Sequence, residues 1–358
     1  MENLVDFYKG KQVLITGYTG FKGTWLTMML QQLGADIVGL GLYPSTTPNM
    51  FDCCKQQYVT TRLNSGLGKD IRNEPEVKKV LELSCPEIVF HLAAQPLVAD
   101  GYAQPKTTYD INVMGTVNLL NCISMDRATK VKSIVVVTTD KVYQNYHNPC
   151  EENDRLDGPD PYSNSKSCVE LVVNTWRRSY FDDMEIGIAT ARSGNVIGGG
   201  DWTPNRLIPD IVRAYNNNLP IKIRKPNSVR PWIYVLDTLY GYLLLAQKMY
   251  TGKFTSVTTS INFAGKDTVK VEEITRYIKR THLKSLEIIE EPTGLKEVDI
   301  LKLDTTRAKI ILGWEPISSC YSAIDMAMCW YENYYGGNEC RKYTESVIKN
   351  YLTLITHQ

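Results

Sequence analysis

Three glycines spaced three residues apart, Gly17, Gly20 and Gly23, fall between an apolar run and a helical pattern. Residues 11–16 read as a short buried strand, and a helix is expected from about residue 20 to 33, stopped by Gly34. Glycine there permits a tight turn and lets backbone N–H groups approach an anion at the helix N-terminus. Behind the first strand of a strand–helix–strand series, such a loop suits a dinucleotide pyrophosphate. The spacing is G-x-x-G-x-x-G, not G-x-G-x-x-G, and Thr19, Phe21 and Lys22 share the loop.

The alternation continues. Strands are expected at 36–40, 87–92, 133–138 and 185–190, with helices near 75–83, over 107–123 and over 162–180. This order predicts an α/β fold, a Rossmann-type doubly wound parallel sheet with helices on both faces. Beyond about Asn195 the pattern breaks into Gly/Asp/Pro-rich loops. A dinucleotide-binding domain over 1–194, rejoined by 231–258, is therefore expected beside a smaller mixed α/β substrate lobe built from 195–230 and 259–358.

Composition removes several classes. With 358 residues, 43% of them hydrophobic, the chain can bury a large core. Lys plus Arg is 40 against 39 Asp plus Glu, a net charge of +1, so no bulk field favours nucleic acid or a membrane surface. An anionic ligand must be held by local groups. The nine cysteines show no CxxC pair, and adjacent Cys53 and Cys54 are poorly placed to bridge. The four histidines show no ligand spacing, so no metal is expected; His91, in an apolar strand, reads as a satisfied core residue, and His147 falls in a loop. Residues 1–6 are acidic and lack a signal pattern, and no apolar run approaches the roughly 20 residues of a spanning helix. A cytoplasmic protein is the expectation.

Tyr162 and Lys166 sit four apart on one helix face. A phenol of pKa about 10 is a poor base, but an adjacent ammonium favours its phenolate, which can take a hydroxyl proton as hydride leaves carbon. Thr138-Thr139-Asp140-Lys141 closes the preceding strand at its carboxyl end, where such sheets bind ligands. No carboxylate ends the second strand at Gly41-Leu42-Tyr43, so NAD and NADP both stay open. Asp70, before Ile71, is placed to meet an adenine amino group.

These strings carry a family resemblance. Gly17 to Gly23, His91-Leu92-Ala93-Ala94-Gln95, Asn112-Val113-Met114-Gly115-Thr116 and the Tyr162/Lys166 pair resemble the extended short-chain dehydrogenases that modify sugar nucleotides. Thr138 to Lys141, Arg192 to Trp202 and Arg230-Pro231-Trp232 resemble the CDP-glucose 4,6-dehydratase subgroup, and the similarity runs from about residue 7 to 316. The resemblance implies an NAD-dependent lyase that oxidises the sugar at C4, expels water across C5–C6 and returns the hydride to C6. It implies Tyr162 as base, Lys166 as its partner, Thr139 on the C4 oxygen and Asp140 as the neutral acid for the C6 hydroxyl. Lys141 would be the C5 base or a cation stabilising the enolate. It implies cofactor contacts from Gly17, Thr19, Gly20, Phe21, Lys22, Gly23, Asp70, Ile71, Leu92, Ala93, Ala94, Gln95, Asn112, Thr138, Tyr162 and Lys166. Substrate contacts would come from Gln95, Asn195, Asp201, Trp202, Asn205, Arg206, Leu207 and Arg230. A homodimer through the Tyr162 helix and its neighbour, and a place in deoxysugar assembly for a surface polysaccharide, are implied with it.

Three stretches depart from the subgroup: Ala99-Asp100-Gly101, residues 146–150 and Ile233-Tyr234. Each is expected near the sugar or diphosphate, which puts the substrate in question. The alternatives are a C4 epimerase, which needs no C6 acid, a C4 dehydrogenase, which leaves NADH, and a non-catalytic dinucleotide sensor, which would lose the Tyr162/Lys166/Thr139 set.

Overall fold

A computed structural model describes residues 3–56, 62–144, 149–252, 260–291 and 299–356. Seven parallel strands form one sheet: β1 (Gln12–Thr16), β2 (Asp36–Gly41), β3 (Gly66–Leu67), β4 (Ile88–His91), β5 (Ser133–Val137), β6 (Gly187–Ser193) and β7 (Ser260–Phe263), in the order β7-β6-β5-β4-β1-β2-β3. The strands are apolar on both faces because both are covered. Val13, Ile15 and Phe90 join one buried cluster, while Leu14, Val89 and Val136 join the other.

The first face carries α1 (Phe21–Gln32), and the second carries α2 (Glu74–Ser84), α3 (Gly115–Met125) and α4 (Pro161–Trp176). Among the helices that follow, α5 (Leu207–Asn216), α6 (Val235–Tyr250), α7 (Cys320–Tyr335) and α8 (Cys340–Thr356) share the first cluster with α1. The strand order reverses between β1 and β4, which opens a crevice above their carboxyl ends. None of the described helices is long and apolar enough to cross a membrane.

Two expectations change. Ser260–Phe263 pairs with β6, so the chain returns to the sheet where residues 259–358 are expected to leave it. The signal was hidden by brevity, since Ser-Ile-Asn-Phe is too short to read as a strand alone. The C-terminal helices also pack on α1 and α6 instead of forming a core of their own. What projects over the carboxyl edge is smaller: α5, with the pairs Ile221–Ile223/Ile288–Glu290 and Val229–Arg230/Val269–Lys270. The helices expected over 107–123 and 162–180 contain π-turns at Asp110–Met114 and Arg177–Phe181.

A buried ionic knot ties α4 to the sheet. Glu170 accepts from Arg192 Nε at 3.0 Å, Arg192 Nη2 at 2.7 Å, Thr138 Oγ1 at 2.5 Å and Thr190 Oγ1 at 2.6 Å. Both charged side chains are 3% exposed. Arg192 Nη1 continues to the Tyr143 hydroxyl and the Glu152 carbonyl, both at 3.0 Å. Removing one partner strands the other charge in low dielectric, so Glu170→Ala is expected to lower unfolding free energy by about 3–5 kcal/mol in denaturant titration.

Candidate active site

The glycine loop is built by close approach. Gly17 has φ +70°, and a Cβ on it would lie 2.7 Å from Ala93 N; one on Gly23 would lie 2.2 Å from Gly17 O. Gly20 caps α1 without a side chain, which leaves the first-turn N–H groups facing the crevice edge. Thr19 Oγ1 donates to Leu42 O at 2.8 Å and pins the loop to the end of β2. Such a cradle, narrowed until only glycine fits and lined by unspent donors, suits a pyrophosphate.

His91 fixes the next wall. Thr116 Oγ1 donates to Asn112 O at 2.6 Å, so at 3.0 Å it accepts from His91 Nε2. His91 Nδ1 then accepts from Thr16 Oγ1 at 2.7 Å, and Thr16 takes the Ala93 N–H at 3.1 Å. Burial, aided by Lys166, drives the imidazole down to about 3, so it stays neutral and holds Leu92, Ala93 and Ala94 in place. Leu92 and Ala94 line the cavity above the switch point.

That cavity gathers Thr138, Thr139, Asp140, Lys141, Tyr162 and Lys166. Asp160 caps α4, accepting from Ser163 N at 3.0 Å, and so sets Tyr162 in the first turn. Gly101 packs against that turn, where a Cβ would sit 3.0 Å from Tyr162 N. Burial pushes the Tyr162 phenol up to about 12, and its hydrogen bond with Thr139 pulls the other way. Lys166 Nζ donates to Val137 O at 2.9 Å, and burial brings it down to about 8. Asp140 is 2% exposed. It accepts from Thr139 Oγ1 at 3.1 Å on Oδ1, while Oδ2 has no partner among the described residues. Burial raises its pKa, with Lys141 opposing. The result is a protonatable acid with one buried, unpartnered oxygen and a phenol and lysine beside it, at one end of the cavity.

Several expected site residues are placed otherwise. Trp202 does not line the cavity; it packs edge-on against Trp330, Tyr331 and Tyr334 with ring centroids 4.9–5.7 Å apart. Gln95 spends its side chain on Thr108 and the Leu97 N–H. Asn112 bonds Gln95 N at 2.8 Å and Ser165 Oγ at 2.9 Å, bracing the wall from behind. Asp70 is held by Arg72 at 2.6 Å, which pulls the carboxylate down, and Ile71 is buried beneath Gly115. Thr138 lines the cavity but gives its hydroxyl to Glu170. Phe21 packs on the core. Lys22, by contrast, does line the cavity, where its amine lies 3.5 Å from both Ser193 Oγ and Tyr242 OH and burial lowers it to about 7.

Asn195, Asp201, Asn205, Arg206, Leu207 and Arg230 do line the cavity. Asp201 accepts from Arg206 Nη1 at 3.3 Å, and Arg230 Nη1 donates to Val229 O at 2.9 Å. Sequence reading passed over Lys222, Arg224 and Lys225, which line the same wall. The period-2 pattern Ile221-Lys222-Ile223-Arg224 was the available signal. Of the three departures, Ala99 lines the cavity, Ile233 and Tyr234 are buried outside its lining, and residues 145–148, including Tyr146 and His147, lie outside the described residues. No group of three or more potential metal ligands occurs among the described residues.

Comparison with known proteins agrees with this geometry. The family model for GDP-mannose 4,6 dehydratase matches residues 14–327. A CDP-glucose 4,6-dehydratase of Salmonella typhimurium is 37% identical over 98% of this chain and 99% of its own length. The UDP-glucose 4-epimerase of Thermotoga maritima, solved with UDP-glucose, superposes with a TM-score of 0.76 at 20% identity, covering 90% of this chain and 99% of that one. A Bacillus cereus UDP-glucuronic acid 4-epimerase, solved with UDP-glucuronic acid and NAD, gives 0.75 at 19% identity, with 90% and 99% covered. A parallel sheet with its strand order reversed at β1/β4, a glycine-narrowed loop at that reversal and a Tyr162/Lys166 pair beside it therefore have one source: the chain belongs to the GDP-mannose 4,6 dehydratase family of NAD-dependent sugar-nucleotide epimerases and dehydratases.

Proposed function

We propose that the chain is an NAD-dependent sugar-nucleotide 4,6-dehydratase whose substrate is CDP-glucose. The observation that carries this reading is Asp140, a buried acid with one unpartnered oxygen beside the Tyr162/Lys166 pair. An epimerase or C4 dehydrogenase has no C6 leaving group to protonate, so a carboxyl kept neutral here would have no task. The 37% identical Salmonella relative, matched along nearly its whole length, supports CDP-glucose.

Oxidised NAD, held at the glycine loop, would accept the C4 hydride and return it to C6, and its positive charge would favour the Tyr162 phenolate. Tyr162 takes the C4 hydroxyl proton, and Lys166, fixed to Val137 O, keeps a cation beside it. Thr139 orients the C4 oxygen. Asp140 gives its proton to the C6 oxygen as that bond breaks. Lys141 faces C5 as amine base or enolate-stabilising ammonium. Arg206, Arg230, Lys222 and Arg224 offer cations to the diphosphate along the opposite wall.

Mass spectrometry after incubation with NAD⁺ and CDP-, dTDP-, UDP- or GDP-glucose tests the reading. Loss of one water from CDP-glucose without accumulating NADH is expected; net NADH or unchanged sugar would overturn it. Asp140→Asn is expected to slow water loss by about 10²–10⁴-fold while the protein stays folded.

We also infer a homodimer. The outer stripe of α4 (Asn164, Cys168, Leu171, Val172, Thr175) is uncharged, and on the preceding helix Met114 and Val117 are solvent-accessible. Leu171 is 58% and Met114 49% exposed, apolar side chains that a second copy of the chain would cover. Leu171→Glu is expected to convert a dimer to a monomer in analytical ultracentrifugation. A wild-type monomer would contradict the inference.

A further inference from the structure

We propose that the Asp210 carboxylate selects the base of the substrate, accepting from the 4-amino group of cytosine and turning away uracil and thymine. The proposal rests on the dehydratase reading and deepens it, since it names the group that would make a cytidine diphosphate the carrier of the sugar. Tyr162, Thr139 and Asp140 take the hexose in that reading, and the cations along the opposite wall take the diphosphate. The base then falls to the part of the cavity enclosed by α5 and the strand Ile221–Ile223.

That part offers a flat ring apolar walls. Leu207 and Pro209 line it from α5, and Ile221 and Ile223 line it from the strand. Apolar walls hold a base by its faces but read nothing, because every base has such a face. Discrimination needs a polar group at the ring edge. Among the described residues, the acidic side chains that line the cavity are Asp140, Asp201 and Asp210. Asp140 belongs to the reacting end. Asp201 is turned to its own loop, accepting from Thr203 N at 2.9 Å and from Arg206 Nη1 at 3.3 Å. Its side chain is 5% exposed, against 25% for Asp210. Asp210 is the carboxylate left open to a ligand.

Its neighbours aim it without using it up. Arg213, three residues on, donates from Nη1 to Asp210 Oδ1 at 2.7 Å and from Nη2 to Trp202 O at 2.7 Å. Anchored at both ends, the guanidinium fixes the direction of the carboxylate, which has about four lone-pair sites and so keeps room for another donor. An ionised carboxylate only accepts. Cytosine presents an amino group at C4, and a charge-assisted N–H···O bond follows. Uracil and thymine present a carbonyl oxygen there, so two acceptors would meet with no proton between them. Asp210 therefore selects by rejection as well as by attraction.

Isothermal titration calorimetry of the NAD⁺-loaded protein with CDP and with UDP tests this without turnover. The wild type is expected to bind CDP at least about tenfold more tightly than UDP. Asp210→Asn, whose amide both donates and accepts, is expected to bring the two Kd values within about threefold of each other. The kcat/KM values for CDP-glucose and UDP-glucose are expected to converge in the same variant. A merely structural role would weaken both nucleotides equally. That result, or a wild type indifferent to the base, would overturn the proposal. Circular dichroism checks that the variant folds, and Asp210→Ser replaces it if it does not. A protein that prefers CDP yet releases no water from CDP-glucose supports the base selection and overturns the dehydratase reading, so the two failures are distinct.

Discussion

Glu170 and Arg192 meet beneath the reactive edge of the sheet, and what lies above depends on that contact. Four donors fill the carboxylate: two from the guanidinium and one each from Thr138 and Thr190. Glu170 sits one turn beyond Lys166 on α4, Thr138 immediately precedes Thr139, and Arg192 is the last residue but one of β6, next to Ser193. One buried pair therefore sets the depth of α4 against the ends of β5 and β6, and with it the spacing of Tyr162 and Lys166 from Thr139 and Asp140. Replacing such a pair by apolar residues can be neutral for stability. Its value here is geometric, because an apolar contact would not fix direction.

Above the pair, charge is arranged by depth. The acid, phenol and lysine sit deepest, where burial keeps Asp140 protonatable and draws Lys166 toward neutrality. The cations Arg206, Lys222, Arg224 and Arg230 line the wall contributed by α5 and the short strand pairs. A ligand with a neutral hexose at one end and a diphosphate further along fits that gradient, although the chain as a whole carries a net charge of only +1.

The sheet, the glycine loop and the Tyr162/Lys166/Thr139/Asp140 set were legible because each depends on local pattern: apolar runs of strand length, close-approach glycines, and spacing on one helix face. His91 was legible as a core residue for the same reason, and its threonine partners explain why a polar ring belongs in that strand. Trp202 was misplaced because its position is decided by Trp330 and Tyr334, more than a hundred residues away, whose rings take it from the cavity. Gln95 and Asn112 read as ligand contacts, but Asn112 spends its side chain on the Gln95 backbone and Gln95 spends its own on Thr108 and the Leu97 N–H, partners no single-residue motif reveals. Lys22 belongs to the loop by sequence, and its long stem carries the amine into the cavity beside Ser193, as the site reading requires. The seventh strand escaped because four residues carry too little periodicity.

The central claim is that hydride taken from C4 ends at C6 of the same sugar. CDP-glucose deuterated at C4, incubated with the NAD⁺-loaded enzyme, tests it by NMR of the product. Deuterium in the C6 methyl group, with a ketone at C4, is the predicted result. Deuterium retained at C4, or recovered in reduced cofactor, would contradict the account and favour an epimerase or a dehydrogenase.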